Sequence, residues 1–373
     1  MRILLTTDTL GGVWDHTVTL ACELSAAGHD VLVAALGEVR DERLAHLPAG
    51  VQITSRPYKL EWMAGAGDDV RAAAEWLRGL AQVWNAEVVH LNQMAYAAFG
   101  FPVPVVAAAH SDVLSWWTHV LGGDAPMDEW GQYAAWVREG LMAADVVVTP
   151  TQYQATLLVR HYDVRGARVI YNGVELAAGD DPRPRTEFCA LSVGRLWDRG
   201  KGVDTLDDAA GVLGADFPAI HVLGETTSPH GDRYEPRHLR AHGRVERAEV
   251  DEWMRRASVY VAPSRYEPFG LAPLEAALHG CALVLSDIGT FRELWHGCAE
   301  FVPPDDPAAL ADALRRLRRD PARVARLAEG ARKRALRRYS SGRMAQEYTE
   351  LYRQLAQRHA LRERAQASTA AAS

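Results

Sequence analysis

Four side chains in the second half of the chain have the types and spacing for chemistry on a phosphorylated polar ligand. Glu267 and Glu275 stand eight positions apart within Ser264–Gly280, SRYEPFGLAPLEAALHG. Arg195 and Lys201 lie in Val193-Gly194-Arg195-Leu196 followed by Arg199-Gly200-Lys201-Gly202. Two cations on a glycine-rich loop can stabilise a diphosphate, because glycine lets the backbone approach the ligand closely. The chain holds only three lysines, Lys59, Lys201 and Lys333, which makes a lysine between glycines a conspicuous choice. Taken singly, Arg195 and Lys201 would read as solvated surface charges, and Glu275 as a charge on a helix surface.

The elements that must carry these groups follow from the apolar runs around them. Val259–Ala262 and Ala282–Leu285 read as buried strands flanking the glutamate stretch. Between them a loop turns into a helix starting near Gly270 or Leu271, with Pro273 in its first turn and Gly280 at its end. Leu271, Leu274 and Leu278 share one face, and Glu275 projects close to it. A helix start there offers backbone N–H groups to an anion.

The same alternation runs through the whole chain. Ile3–Thr6, Val31–Ala35, Val88–His90, Val105–Ala108, Val146–Val148 and Val169–Tyr171 are strand candidates in the first half. Cys189–Val193, Ala219–Leu223, Ser258–Ala262 and Ala282–Ser286 are those of the second. Helical stretches separate them, starting with Asp15–Ala27 after the turn Gly11-Gly12, so two mainly parallel α/β sheets are expected. Length supports two domains of about 150 to 200 residues each. The expected organisation is a first domain at 1–177, a proline- and charge-rich linker at 178–186 and a second domain at 187–340. A helix at 341–366 is long enough to cross back to the first domain, and a frayed tail follows at 367–373. Ligands of such sheets bind beyond the carboxyl ends of the strands, in a cleft between the domains.

Composition narrows the function classes. Apolar residues make up 48% and charged residues 24%, as in an ordinary globular enzyme. A net charge of −7 argues against general nucleic-acid binding. Cys22, Cys189, Cys281 and Cys298 are scattered without a CxxC pair, which points to reduced thiols and a cytoplasmic location. The N-terminal apolar run is too short for a leader peptide or a spanning helix and reads as the first strand. The arginines between Arg315 and Arg338 allow contact with an anionic membrane surface, although a solvated helical face accounts for them more simply.

These residues together resemble the retaining nucleotide-sugar glycosyltransferases of the GT-B type, with two Rossmann-like domains, specifically glycosyltransferase family 4, or group 1. The resemblance is carried by Gly11-Gly12 with Ala26-Ala27-Gly28-His29-Asp30-Val31, Tyr171-Asn172-Gly173-Val174, Gly194-Arg195-Leu196 through Lys201-Gly202, and Glu267-Pro268-Phe269-Gly270-Leu271 through Glu275-Ala276. It implies that Arg195 and Lys201 hold the donor diphosphate without a metal or other cofactor. It implies that Glu275 takes the ribose hydroxyls, and that Glu267 and the N–H groups of Phe269, Gly270 and Leu271 hold the transferred sugar and phosphate. His110 would lie beside the anomeric carbon, Gly12 near the phosphate or acceptor, and Gly243-Arg244-Val245 against the base. Two departures from the family pattern, Gly224-Glu225-Thr226 and Gly289-Thr290, leave base and sugar open.

On the acceptor side the candidates are Asp15 and His16, with helix capping as the other use of Asp15, and Trp116 and Trp117. The tryptophan pair falls in a polar segment, Ser111–His119, read as a loop in which adjacent residues cannot easily both be buried. The implied reaction moves a sugar from a nucleotide-diphosphate donor, UDP-sugar foremost, to a hydroxyl acceptor. A sugar-nucleotide epimerase of the same build and a non-catalytic sugar-nucleotide binder are the alternatives.

Overall fold

Short β-branched and leucine-rich runs set the strands, and alternating amphipathic stretches set the helices that cover them. The structure is a computed structural model, and it describes residues 1–9, 11–39, 47–48, 50–175, 185, 187–228 and 231–372. The chain divides into two compact units: Met1–Ser115, Asp124–Glu175 and Ser341–Ser373 form one, and Trp116–Gly123 with Leu176–Ser340 form the other. The segment 116–123, which the sequence assigns to the first domain, thus groups with the second unit. Nearly all of the expected linker 178–186 lies outside the described residues.

The first unit is built on β1 (Arg2–Asp8), β2 (Asp30–Leu36), β3 (Val51–Arg56), β4 (Val88–Leu91), β5 (Val105–Ala108), β6 (Val146–Thr149) and β7 (Arg168–Val169). All neighbours pair in parallel, in the order β3-β2-β1-β4-β5-β6-β7. β3, which the apolar-run reading overlooks, is an edge strand of sequence VQITSR with one well-buried residue, Val51. An edge strand needs only one apolar side, so a run of buried residues was never there to be found.

Both faces of this sheet are covered. Val70, Ala73, Ala74 and Leu77 of the helix Gly67–Val83 pack on one side with Leu4, Val89 and Tyr96. Met344, Tyr348, Leu351, Tyr352 and Leu355 of the C-terminal helix pack on the other with Ile3, Leu5, Val31 and Val106. That helix runs from Ser341 to Ala372, beyond residue 366, where the sequence has it end in a frayed tail. Residues 365–369 are exposed, but the sequence of these last turns, AQASTAAA, is alanine-rich, and alanine is the strongest helix former.

The second unit is built on β8 (Ala190–Val193), β9 (Ile220–Leu223), β10 (Arg240–Ala241), β11 (Val259–Ala262), β12 (Ala282–Ser286) and β13 (Glu300–Val302). Its sheet is also parallel, in the order β10-β9-β8-β11-β12-β13. β10 and β13 have two and three residues, too few to show a periodicity. Leu206, Ala209, Leu310, Leu314 and Leu317 close the core over Val222, Val259, Val261 and Val284.

The four cysteines are all free. Arginines of the two helices at 307–338 are tied down within this unit: Arg316 and Arg323 bond Glu300, Arg332 donates to the Leu278 carbonyl, and Arg334 to those of Leu294 and His296. Among the described residues, no helix is long and apolar enough to cross a membrane.

Candidate active site

In the second unit the strand order makes β8 and β11 neighbours at the centre of the sheet, so the loops leaving their carboxyl ends lie side by side. The Gly200 carbonyl accepts a 2.9 Å hydrogen bond from the Arg265 N–H. Gly202, at φ 62° and capping the helix Val203–Leu213, comes so close to Pro263 that a Cβ would stand 2.0 Å from its carbonyl oxygen. Across this seam Lys201 Nζ donates to Glu267 Oε2 at 2.6 Å, and both side chains are largely enclosed. The phosphate-type cation and the first glutamate, 66 residues apart in sequence, are thereby brought together.

Arg195 is held by a residue the sequence reading missed. Its Nη2 donates to Asp198 Oδ2 at 2.7 Å, while Asp198 Oδ1 accepts the Gly200 N–H at 2.9 Å. Burial alone would raise the Asp198 carboxyl, but Arg195, Lys201 and the Gly200 N–H outweigh it and keep the group below the usual carboxylate range. Asp198 thus stays ionised and shapes the loop that carries both cations. Its signal was its place three residues after Arg195, a spacing that allows a local ion pair.

The helix after β11 starts where the spacing predicts. Gly270, at φ 91° and ψ 75°, caps Leu271–Leu278 with no side-chain cap, and Pro273 sits in the first turn. A Cβ on Gly270 would press on the Phe291 ring at 3.1 Å and on Glu267 Cγ at 3.3 Å. Phe269 is buried, 5.7 Å from the Tyr339 ring, so only its backbone is available to a ligand. Glu275 is mostly enclosed, and Arg247 Nη1 donates to its Oε1 at 2.7 Å. Arg247, on the helix Arg247–Arg256, is a second partner that the sequence left unassigned.

Toward the sheet edge, β8, β9 and β10 end in three glycine-bearing turns bonded in a row. The Gly194 N–H donates to the Leu223 carbonyl at 2.9 Å, and the Gly224 N–H to that of Gly243 at 2.8 Å. Gly224, at φ 140°, has no room for a Cβ, which would stand 1.7 Å from the Gly194 carbonyl oxygen. Glu225, one of the departures noted in the sequence, receives Arg244 Nη1 at 2.9 Å, an exposed pair; Val245 beside it is partly buried.

Two models of known families match the chain: the description "Glycosyltransferase Family 4" over residues 10–178 and "Glycosyl transferases group 1" over residues 187–320. This chain belongs to the group 1 glycosyltransferases. It is 29% identical over 394 residues to a glycogen synthase of Mycobacterium tuberculosis, a match spanning 90% of each chain. Its fold is similar to that of the sucrose-phosphate synthase of Thermosynechococcus elongatus, with a TM-score of 0.77 at 21% identity over 95% of this chain and 99% of that one. It is also similar to Anabaena HepE solved with UDP-glucose, with a TM-score of 0.73 at 17% identity over 95% and 100% of the two chains. The chain is thus a glycosyltransferase with two parallel α/β sheets of the GT-B type.

The remaining sequence candidates of this glycosyltransferase lie in the first unit, apart from Trp116 and Trp117 of the segment that groups with the second, and the structure treats them unevenly. Gly11, at φ 89°, caps a helix that starts at Gly12 and runs to Ala26, three residues earlier than the spacing suggests. Gly12 is exposed, and so is Asp15, which supplies negative charge to the first turn. His16 is only 2% exposed, and neither ring nitrogen has a hydrogen-bond partner among the described residues. Trp116 and Trp117 lie on a helix, Val113–Val120, instead of in a loop, and both are half-buried. A helix turns adjacent side chains about 100° apart, so two neighbours can each be partly covered in a way an extended loop does not allow.

His110 follows β5 directly, and its Nε2 stands 2.9 Å from Asn92 Oδ1. Its ring lies edge-on to that of His16 with centroids 4.3 Å apart. Burial pushes the His110 imidazole down to about 4 and that of His90 to about 3, and lowers His16 well below the ordinary value. All three are therefore neutral at physiological pH. The C-terminal helix completes the cluster: Tyr352 Oη is 2.6 Å from His90 Nδ1, and the Tyr348 ring is 5.0 Å from that of His90.

Proposed function

We propose that this glycosyltransferase moves a sugar from a nucleoside-diphosphate donor, UDP-sugar first, to a hydroxyl acceptor, with retention and without a metal or other cofactor. The observation that carries the reading is the Lys201–Glu267 pair joining the carboxyl ends of β8 and β11, with Arg195 on the same loop as Lys201 and Glu275 on the helix that starts after Gly270. In this reading the Lys201–Glu267 pair opens onto the donor. Lys201 and Arg195 then meet the charge growing on the leaving diphosphate, where preorganised cations are most effective. The N–H groups of Gly270 and Leu271 take phosphate oxygens, and Glu267 turns to the sugar hydroxyls. Glu275, steadied by Arg247, accepts from the two ribose hydroxyls with its two oxygens. The row of turns ending in Gly243, Arg244 and Val245 faces the base.

HepE, of similar fold, was solved with UDP-glucose, which supports testing that donor first. Retention rests on the family resemblance, with the leaving phosphate taking the acceptor proton. The glycogen synthase relative points to a glycan hydroxyl as the first acceptor class to try, met by Asp15, Trp116 and Trp117. The proposed setting is the cytoplasm. The test is a thermal-shift screen of UDP-, ADP- and GDP-sugars, followed by mass spectrometry of acceptor mixtures with the donor that binds. Glycoside formed only when acceptor is present supports the reading. Isomerised donor without acceptor, or tight binding with no turnover, would overturn it.

A further inference from the structure

Asn92 follows β4 and is 8% exposed. Its amide orientation is settled by its neighbours. Nδ2 lies 2.6 Å from the Thr6 carbonyl oxygen and 2.9 Å from Thr17 Oγ1. A carbonyl oxygen can only accept, so the atom facing it must be the amide nitrogen. The Thr17 hydroxyl is itself oriented, because it donates to the Val13 carbonyl at 2.7 Å and so offers a lone pair to Asn92. The backbone completes the clamp, the Asn92 N–H donating to Thr6 Oγ1 at 2.9 Å. Both amide donors being engaged, Oδ1 is left as an acceptor, and the ring atom it faces, Nε2 of His110, must carry a proton.

We propose that Asn92 is a positioning residue that holds His110 in its Nε2–H form, leaving Nδ1 as the ring's acceptor toward a substrate hydroxyl. This rests on the reading of His110 as a residue at the transferred sugar. Its consequence is a restriction of role: His110 accepts a hydrogen bond and does not act as a cation beside the developing positive charge at the anomeric carbon. The groups packed around it agree. The His16 ring lies against it and His90 couples to it electrostatically, and a second positive charge next to either is disfavoured in so enclosed a place. Tyr348 and Tyr352, facing His16 and His90 from the C-terminal helix, are neutral phenols.

The test has two parts. Long-range 1H–15N spectra of the unliganded, histidine-labelled protein near pH 7, with His110→Gln used for assignment, should show His110 with a protonated Nε2 and a bare Nδ1. An Nδ1–H pattern, or the equalised pair of an imidazolium, would overturn the assignment whatever the enzyme's substrate proves to be. For the role in catalysis, Asn92→Asp puts a carboxylate against Nε2 and should raise the His110 pKa by about one unit or more. The acidic limb of the kcat/KM profile should move up by the same amount, measured with the donor and acceptor found in the screen. A folded Asn92→Asp enzyme with raised His110 pKa and an unmoved acidic limb would sink the catalytic part. Absence of any sugar transfer would instead count against the proposed function, leaving the spectroscopic result standing.

Discussion

The two sets of strand ends solve the problem of a polar site in opposite ways. In the second unit the loops and helix that follow β8 and β11 carry full charges, each already matched: Arg195 with Asp198, Lys201 with Glu267, and Glu275 with Arg247 of a neighbouring helix. In the first unit the ends of β4 and β5 carry imidazoles kept neutral by burial and an amide, with a third imidazole and two phenols packed on them from helices. A ligand that carries both phosphate and hydroxyls can exchange with a matched ion pair, the cation taking the phosphate and the carboxylate accepting from the hydroxyls. A buried neutral cluster can only offer directed hydrogen bonds. One unit is therefore suited to an anion and the other to hydroxyls.

The contrast is most exposed to Lys201→Ala. It should cut turnover by about 10²- to 10³-fold, the loss typical of removing one preorganised group that meets developing charge, in a chain that still folds, with a lowered melting temperature because Glu267 is left unpaired. Near-normal steady-state turnover would break the assignment of the charged side to the leaving group. Glu275→Ala should act on binding instead: about a tenfold weaker dissociation constant for the nucleotide sugar by calorimetry, about 1.4 kcal/mol. An unchanged constant would remove the ribose from this glutamate.

The neutral side is sharpened by pH. Between pH 6.5 and the lowered folded-state values of His110 and His90, about 4 and about 3, the unfolded chain binds protons that the folded chain refuses. Each such group therefore lowers stability as pH falls below 6.5, by up to about 1.4 kcal/mol per pH unit. Glu61, buried on two backbone N–H groups and pushed up to about 7, acts in the opposite sense, losing stability as pH rises from 4.5 to 7. Urea titrations of the parent and His110→Gln at pH 5 and 7 should show a shallower pH dependence in the variant; equal slopes would mean His110 is not held neutral. The smallest effect is expected at the exposed Arg244–Glu225 pair, where Arg244→Ala should change stability by less than about 1 kcal/mol. A larger change in urea midpoint would mean that the edge turns depend on this pair.

Central strands were readable because both their faces are buried, so β5 and β12 show as uninterrupted apolar runs. β3, β10 and β13 were not, being short or one-sided. In the site, Arg195, Lys201, Glu267 and Glu275 stood out because charge beside glycine at a strand end is unusual. Asn92, Asp198 and Arg247 did not, since a polar residue in a loop is ordinary until its partner is known. The tryptophan pair shows the reverse: side-chain polarity suggested a loop where the backbone forms a helix.

By itself, then, the sequence determined the alternation of strand and helix, the division into two α/β sheets, the start of the helix after Gly270 and the residue types at the strand ends. These follow from local periodicity and backbone sterics, which a linear pattern records. Only the tertiary structure decided who meets whom. Lys201 reaches Glu267 because β8 and β11 are neighbours in a sheet whose order departs from chain order. His110 takes its Nε2–H form because Asn92, 18 residues earlier, is clamped by Thr6 and Thr17. Pairing across a parallel sheet depends on strand order and burial, and neither is written in the spacing of residues along the chain.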